Sequence, residues 1–370
     1  MYLESLHLKN FRNFADEHVE LDPHFNLLIG MNAQGKTNIV EAVGLLATGR
    51  SFRTSEFRDM IRSDCEAARV TASSSGSAGS DELRVNMDPA AKIFYRNSKR
   101  SRPGGFVGLG TVIFAPEEII LLRDSPSARR RHIDGLIAQL SPSYRGVVGR
   151  YERVVSHRNR LLQEGLPPPS LERELAAWDG QLIELGTRIS VERSHWCERL
   201  NGIIPHKYAA IAPQDASALF LYRPHCGEEA VKDGEAAVRK ALELALAERR
   251  PDEIDRGTTL VGPHRDDLEA RIGDAAVRHF GSQGQHRSFV LALKIAEMEL
   301  LREALGDEPI LLLDDVASEL DSERSRFLFD YLGNVAGQVF VTATDAGSLW
   351  ATHLSGAKRF EVASGHAMAL

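Results

Sequence analysis

Phe25-Asn26-Leu27-Leu28-Ile29 runs into Gly30-Met31-Asn32-Ala33-Gln34-Gly35-Lys36-Thr37, and that into Asn38-Ile39-Val40-Glu41-Ala42-Val43-Gly44-Leu45-Leu46. The first segment is a short apolar run bounded by Pro23 and Gly30 and reads as a buried strand. The last carries its apolar residues at helical spacing. The residues between them fit G-x-x-x-x-G-K-[ST]. In such a loop the glycines let backbone N–H groups wrap a phosphate, the lysine reaches the outer phosphate oxygens, and the threonine hydroxyl holds Mg²⁺. At average residue usage a chain of 370 residues shows this pattern by accident on the order of one time in a hundred. With a strand before it and a helix after it, the loop fixes an α/β fold and assigns Gly30, Met31, Asn32, Ala33, Gln34, Gly35, Lys36 and Thr37 to nucleotide binding.

The rest of the chain supplies partners for this loop. Ile310-Leu311-Leu312-Leu313 ends in Asp314-Asp315, the form of a strand that delivers one carboxylate to a Mg²⁺ shell and the next to an attacking water. Thr37 and Asp314 are the expected metal residues, and Asp315 the expected catalytic one. No Asn-Lys-x-Asp occurs, so ATP is favoured over a guanine nucleotide. Gly281-Ser282-Gln283-Gly284-Gln285 opens a further helix and is a second anion cradle, or else an ordinary cap made by Ser282. Gln338-Val339-Phe340-Val341-Thr342 is another buried strand. Residues 71–80, rich in Ser, Gly and Ala, are expected as a surface loop or hairpin tip.

The middle changes character. Tyr144, Val147, Val148, Tyr151, Val154, Val155, Arg158, Leu161 and Leu162 recur at i, i+3, i+4, i+7 over one long helix. After Gly165 and three prolines, Leu171, Leu175, Trp178, Leu182, Leu185, Ile189 and Trp196 mark a second helix of roughly 28 residues. Glu192 interrupts its seam, so a short antiparallel helical hairpin is expected, with the two tryptophans in its core. This gives a head from 1–120 and 251–370 with a mainly helical lobe inserted at 121–250.

The formal charge of −7 argues against a polyanion partner, but its distribution does not. Between 123 and 160 nine arginines face three acidic residues, a local excess of six positive charges. Within it Arg129, Arg130, Arg131, Arg150, Arg153, Arg158 and Arg160 are candidate DNA contacts. Clustered arginines without a recognition helix touch phosphates rather than bases, so binding would be sequence-neutral. Three scattered cysteines signal neither disulfides nor zinc. No apolar run approaches the roughly 18–20 residues of a membrane span, and the start lacks a secretory pattern. A soluble, cytoplasmic protein with no membrane partner is expected.

The Ser282–Gln285 constellation and Ser318-Glu319-Leu320-Asp321 resemble the signature and D-loop of ABC-type ATPases. Beyond these, seven blocks in order resemble the bacterial RecF recombination-mediator family: Lys9-Asn10-Phe11-Arg12-Asn13-Phe14, Thr48-Gly49-Arg50-Ser51-Phe52-Arg53-Thr54, Phe114-Ala115-Pro116-Glu117-Glu118, Arg129-Arg130-Arg131-His132-Ile133-Asp134, His157-Arg158-Asn159-Arg160-Leu161-Leu162, Gly262-Pro263-His264-Arg265-Asp266-Asp267 and Ser282-Gln283-Gly284-Gln285. The resemblance implies an SMC-like ABC ATPase head split by a helical insertion. It also implies ATP-dependent homodimerisation with Ser282 and Gln285 serving the neighbouring subunit's ATP, and DNA loading in replication, gap repair and SOS induction beside RecO and RecR. Duplex, single strand and gap junction all stay open as the preferred DNA. Asp315 stands where ABC enzymes usually have glutamate, which implies slow turnover. The usual Q-loop glutamine is missing, with Glu117 a stand-in, and the switch histidine is replaced by Thr342, Thr344 and Asp345. An SMC-like structural protein with ATP-gated oligomerisation is the alternative. Arg265 is open between an anion ligand and an ion pair, and His264 is expected as a structural hydrogen-bonder.

Overall fold

The computed structural model describes all residues except 55, 77–78, 102–105, 107–108, 117–120, 166, 317–319, 334–336 and 346–355, and the side chains of 168 and 322. The chain lays down β1 (Tyr2–Phe11), β2 (Phe14–Glu20), β3 (Phe25–Ile29), α1 (Lys36–Thr48), β4 (Ala68–Gly76), β5 (Gly79–Met87), β6 (Lys92–Arg96), β7 (Lys99–Arg100) and β8 (Thr111–Phe114). Next come α2 (Pro126–Leu140), α3 (Pro142–Gln163), α4 (Pro168–Asn201), α5 (Ile204–Ile211), β9 (Ala218–Arg223), α6 (Glu228–Lys232), α7 (Glu235–Arg256), β10 (Asp267–Ile272), β11 (Ala275–Ala276) and α8 (Val277–Phe280). α9 (Gln283–Leu305), β12 (Ile310–Leu313), α10 (Ser322–Leu332), β13 (Val339–Ala343), β14 (Lys358–Ala363) and β15 (His366–Ala369) complete it.

Two compact units result: Met1–Ile120 with His286–Leu370, and Leu121–Gln285. Residues 251–285, expected with the head, fall instead in the second unit, because β10 pairs antiparallel with β9 and closes the β11-β10-β9 sheet there.

The first unit holds two six-stranded sheets. The order β15-β14-β3-β13-β12-β8 is parallel except at β15. Every residue of β12 and β13 is buried, as the unbroken apolar runs of a parallel sheet covered on both faces require. The other sheet, β2-β1-β4-β5-β6-β7, is antiparallel and half buried. In β1 the buried set steps from Leu3 to Leu6, Leu8 and Phe11, and a bulge between Leu3 and Ser5 makes that step possible. One core gathers Leu3, Leu8, Val70 and Val85 of this sheet with Ile39, Val40 and Val43 of α1 and Leu28, Leu312 and Phe340 of the parallel sheet. Of residues 71–80, expected as a surface loop or hairpin tip, 71–76 belong to β4 and pair antiparallel with β5 as far as Gly76 opposite Gly79, a hairpin and not a loop; pairing with β1 on the other side outweighs the weak strand preference of serine and glycine.

In the second unit α3 buries Tyr144, Val147, Tyr151, Val154, Arg158 and Leu162 along one stripe. α4 is 34 residues rather than 28, since its prolines sit in the first turn, where missing N–H groups cost nothing. Glu192 breaks the apolar seam as read, and its carboxylate accepts the Trp196 indole N–H at 3.1 Å. Trp196 is buried, whereas Trp178 is half-buried and stacks on His157 at 4.7 Å, so of these two tryptophans Trp196 alone is core. No helix among the described residues is long and apolar enough to cross a membrane.

Candidate nucleotide site and basic surface

β3 delivers the loop and α1 carries it away. Gly35 has φ 121°, and a Cβ there would lie 2.8 Å from the Asn13 side-chain nitrogen. At Gly30 a Cβ would lie 2.2 Å from the Val362 carbonyl oxygen on β14, so this position admits no side chain. The loop is braced from outside: Asn13 Nδ2 donates to the Gln34 carbonyl at 2.8 Å, and Ser364 N to Gln34 Oε1 at 2.7 Å. Lys36 Nζ donates to the carbonyls of Gly30 and Met31 at 2.6 and 2.9 Å. Burial pulls its ammonium below the usual lysine range, while Asp315 and Asp314 pull the other way.

Thr37, at the start of α1, meets Asp314 and Asp315 just past β12 and Thr342 near the carboxyl end of β13. Thr37 Oγ1 donates to Asp314 Oδ1 at 2.9 Å, and Thr342 Oγ1 donates to the same oxygen at 3.0 Å. The Asp315 N–H donates to Thr342 Oγ1 at 2.8 Å, and Asp315 itself takes φ 49°. Because Thr37 directs its proton at Asp314, its oxygen lone pairs remain available to a hard cation, and Asp314 supplies the anionic partner. Hydroxyl plus carboxylate, with phosphates and water completing the shell, is a donor set that fits Mg²⁺. Among the described residues no group of three or more His, Cys, Asp or Glu side chains gathers as an all-protein cage would need.

One group of residues behind the loop was not singled out from the sequence. Glu41 is wholly buried on α1, accepts Arg12 Nε and Nη2 at 2.8 and 2.6 Å and the Ser51 hydroxyl, and is ion-paired with Arg53 Nη1 at 3.6 Å. Arg53 Nη1 also reaches Asn38 Oδ1 at 2.8 Å, and Asn38 Nδ2 reaches Asn13 Oδ1 at 2.7 Å. Two of the quoted blocks, around Arg12 and Arg53, thus converge on the helix that follows the loop. The signal was a glutamate inside an otherwise apolar helical run.

Ser282 and Gln285 form a reciprocal capping box: Ser282 N donates to Gln285 Oε1 at 3.0 Å and Gln285 N to Ser282 Oγ at 3.2 Å. Both readings of this segment are compatible with that geometry, for Ser282 is also exposed. Of the D-loop, Ser318 and Glu319 lie outside the described residues, as does Glu117. Asp321 caps α10 by accepting Arg324 N at 3.0 Å, and Arg324 Nε donates to Ser288 Oγ on α9 at 2.8 Å. Thr344 and Asp345 are exposed.

Burial divides the arginine window. Arg129 and Arg158 are corrections: neither can face DNA. Arg129, 2% exposed, makes a bidentate pair with Asp267 at 2.7 and 2.8 Å, and Arg158, 0% exposed, bonds Asp179, Glu253 and Thr259. Arg130 is half-buried and donates to the Asp266 carbonyl at 2.6 Å. Arg131, Arg150, Arg153 and Arg160 are exposed. On α3 positions 150, 153, 157 and 160 share one face, so three arginines and His157 form a solvent-facing stripe.

Beneath that surface Arg193 bonds Asp134 through two hydrogen bonds of 2.9 Å and Asp266 through one of 2.8 Å. His264 takes the Tyr151 hydroxyl at Nδ1, 2.7 Å, and faces the Thr259 carbonyl with Nε2 at 3.1 Å. Burial drives its pKa down to about 4, which leaves it neutral and structural. Arg265 donates to the Thr259 carbonyl at 2.8 Å.

A phosphate loop between β3 and α1, whose threonine is hydrogen-bonded to the acid at the end of β12 in a parallel β14-β3-β13-β12 core, defines the class: a P-loop ATPase head of the ABC type, carrying an inserted helical lobe. The model of the AAA ATPase domain family matches residues 1–90. The DNA replication and repair protein RecF of Synechococcus sp. (strain JA-3-3Ab) is 37% identical over 369 residues, 99% of this chain and 97% of the relative. That of Acetivibrio thermocellus is 36% identical over 348 residues, 93% and 94% of the two chains. A solved structure of the recombination mediator protein RecF-ATP in the RecFOR pathway superposes with a TM-score of 0.90 at 31% identity, covering 100% and 97%. An Smc head domain from Pyrococcus furiosus superposes at 0.54 with 14% identity, a likeness of fold alone. The chain belongs to the RecF family.

Proposed function

We propose that this protein is an ATP-switched DNA-binding protein of replication and recombinational gap repair. Lys36 and the 30–37 loop hold the phosphates of ATP, Thr37 and Asp314 hold Mg²⁺, and Asp315 positions the water for slow hydrolysis. Two copies close on ATP, with Ser282 and Gln285 of one facing the nucleotide of the other. Arg131, Arg150, Arg153 and Arg160 meet the phosphate backbone without regard to sequence. RecO and RecR are its partners in the cytoplasm, as a recombination mediator that also supports SOS induction. The observation that carries the reading is the Thr37–Asp314 hydrogen bond of 2.9 Å in a chain of this family, because it brings a hydroxyl and a carboxylate together beside the phosphate loop, the donor pair that suits Mg²⁺. Support for the biology comes from relatives named as DNA replication and repair proteins and from the mediator whose ATP-bound structure this chain matches.

Sedimentation with and without ATP·Mg²⁺ tests it. Wild type should dimerise only with ATP. Lys36→Arg, which keeps the charge but misplaces the phosphate contact, and Ser282→Arg, which blocks the outward-facing signature, should stay monomeric. A wild-type protein that binds ATP with no change in assembly would remove the switch.

A further inference from the structure

β13 lies between β3, which carries the phosphate loop, and β12, which carries the two acids. Thr342, its next-to-last residue, is 2% exposed, and its hydroxyl bonds both acids. A hydroxyl has a single proton. Since Oγ1 accepts the Asp315 N–H at 2.8 Å, that proton goes to Asp314 Oδ1 at 3.0 Å. Asp314 Oδ1 then receives two protons, from Thr37 at 2.9 Å and from Thr342, and its orientation is held from the loop side and from the sheet side. The same hydroxyl anchors the backbone of Asp315, a non-glycine residue at φ 49°, a conformation that persists only where neighbours hold it.

We infer that the Thr342 hydroxyl is a positioning group for both site acids, fixing the Asp314 carboxylate toward the metal position and the Asp315 backbone in its left-handed turn. This deepens the nucleotide reading and rests on it. Thr342 is one of the three residues, with Thr344 and Asp345, that the sequence offers where a switch histidine is usual, and its side chain bonds the two acids.

The test compares Thr342→Val, Thr342→Ala and Thr342→Ser with wild type and Lys36→Arg. Affinity for a fluorescent ATP analogue is read in EDTA and in Mg²⁺, with amide hydrogen exchange at Asp315 as a readout that needs no nucleotide. Val and Ala should keep the EDTA affinity within about twofold, lose about tenfold of the gain that Mg²⁺ confers, and exchange the Asp315 amide about tenfold faster. Ser should match wild type in all three. Ser and Ala differ only by the hydroxyl, so that pair decides the matter even if the valine variant folds poorly. A packing role gives the reverse order, with Val spared and Ser impaired, and overturns the inference; so does an alanine variant indistinguishable from serine. Wild type that binds the analogue no better than Lys36→Arg would defeat the nucleotide reading and this inference with it.

Discussion

Arg158 sits in the second unit with no exposed surface, its guanidinium bonded to Asp179 Oδ1 at 3.0 Å, Glu253 Oε2 at 2.9 Å and Thr259 Oγ1 at 2.7 Å. Removing one partner of a buried ion cluster strands the others in low dielectric, which costs about 3–5 kcal/mol. Arg158→Ala should therefore lower the urea midpoint of unfolding markedly. Arg160→Ala, at an exposed position on the same helix, should change stability by no more than about 0.5 kcal/mol. Equal effects from the two would contradict the burial assigned to them. Asp315 presents a different single-residue question. Its carboxylate is one methylene shorter than the glutamate expected in an ABC enzyme, and its backbone is pinned at φ 49°. If it orients the water, Asp315→Asn should slow single-turnover ATP hydrolysis by at least about tenfold while nucleotide binding survives. Turnover equal to wild type takes Asp315 out of that role.

Among the elements, α3 does two jobs with one sequence. Its inner stripe, Tyr144, Val147, Tyr151, Val154, Arg158 and Leu162, packs into the lobe, and its outer stripe presents Arg150, Arg153, His157 and Arg160. Each phosphate neutralised contributes about 0.9 to the slope of log K against log salt on duplex DNA. Replacing Arg150, Arg153 and Arg160 by glutamine should accordingly flatten that slope by about 2.7, with the same loss on unrelated sequences. An unchanged slope would place the DNA elsewhere. This helix also marks how far the sequence could be read. Helical periodicity gave its apolar face, since burial repeats with the turn. Periodicity also set Arg158 on that apolar face, but it could not show what pairs with the charge, because its partners arrive from α4 and α7, 21 and 95 residues away along the chain, and so the residue was also counted among the DNA contacts. The loop at 30–37 was legible because its chemistry is local, and Asp314 because a fully buried parallel strand is a short apolar run that ends at the site. The Glu41 cluster and the Thr342 bridge were not legible. Each depends on which strands become neighbours, and residue spacing does not encode that.

At the scale of the whole molecule the two units answer to different variables. The proposed phosphate loop and its acids lie in Met1–Ile120 with His286–Leu370, so if that reading holds, ATP·Mg²⁺ at about 100 times its Kd should stabilise that unit by about 2.7 kcal/mol. The second unit contains His264, whose neutral ring is held by Tyr151 and Thr259 and whose pKa falls from 6.5 to about 4, first through burial and further through Arg265 and Arg130. The unfolded chain takes a proton on this ring as pH drops below about 6.5, and the folded one does not until about 4. Stability is thus complete above pH 6.5 and is lost on acidification, by about 2 kcal/mol between pH 7 and 5. His225, also lowered by burial, acts in the same direction. Asp266, whose carboxyl burial raises, acts in the opposite direction. Calorimetry should then show ATP·Mg²⁺ raising one transition and mild acid lowering another, with His264→Gln flattening the acid response of the second alone. A single transition that moves with both variables would mean that the two units unfold as one cooperative fold.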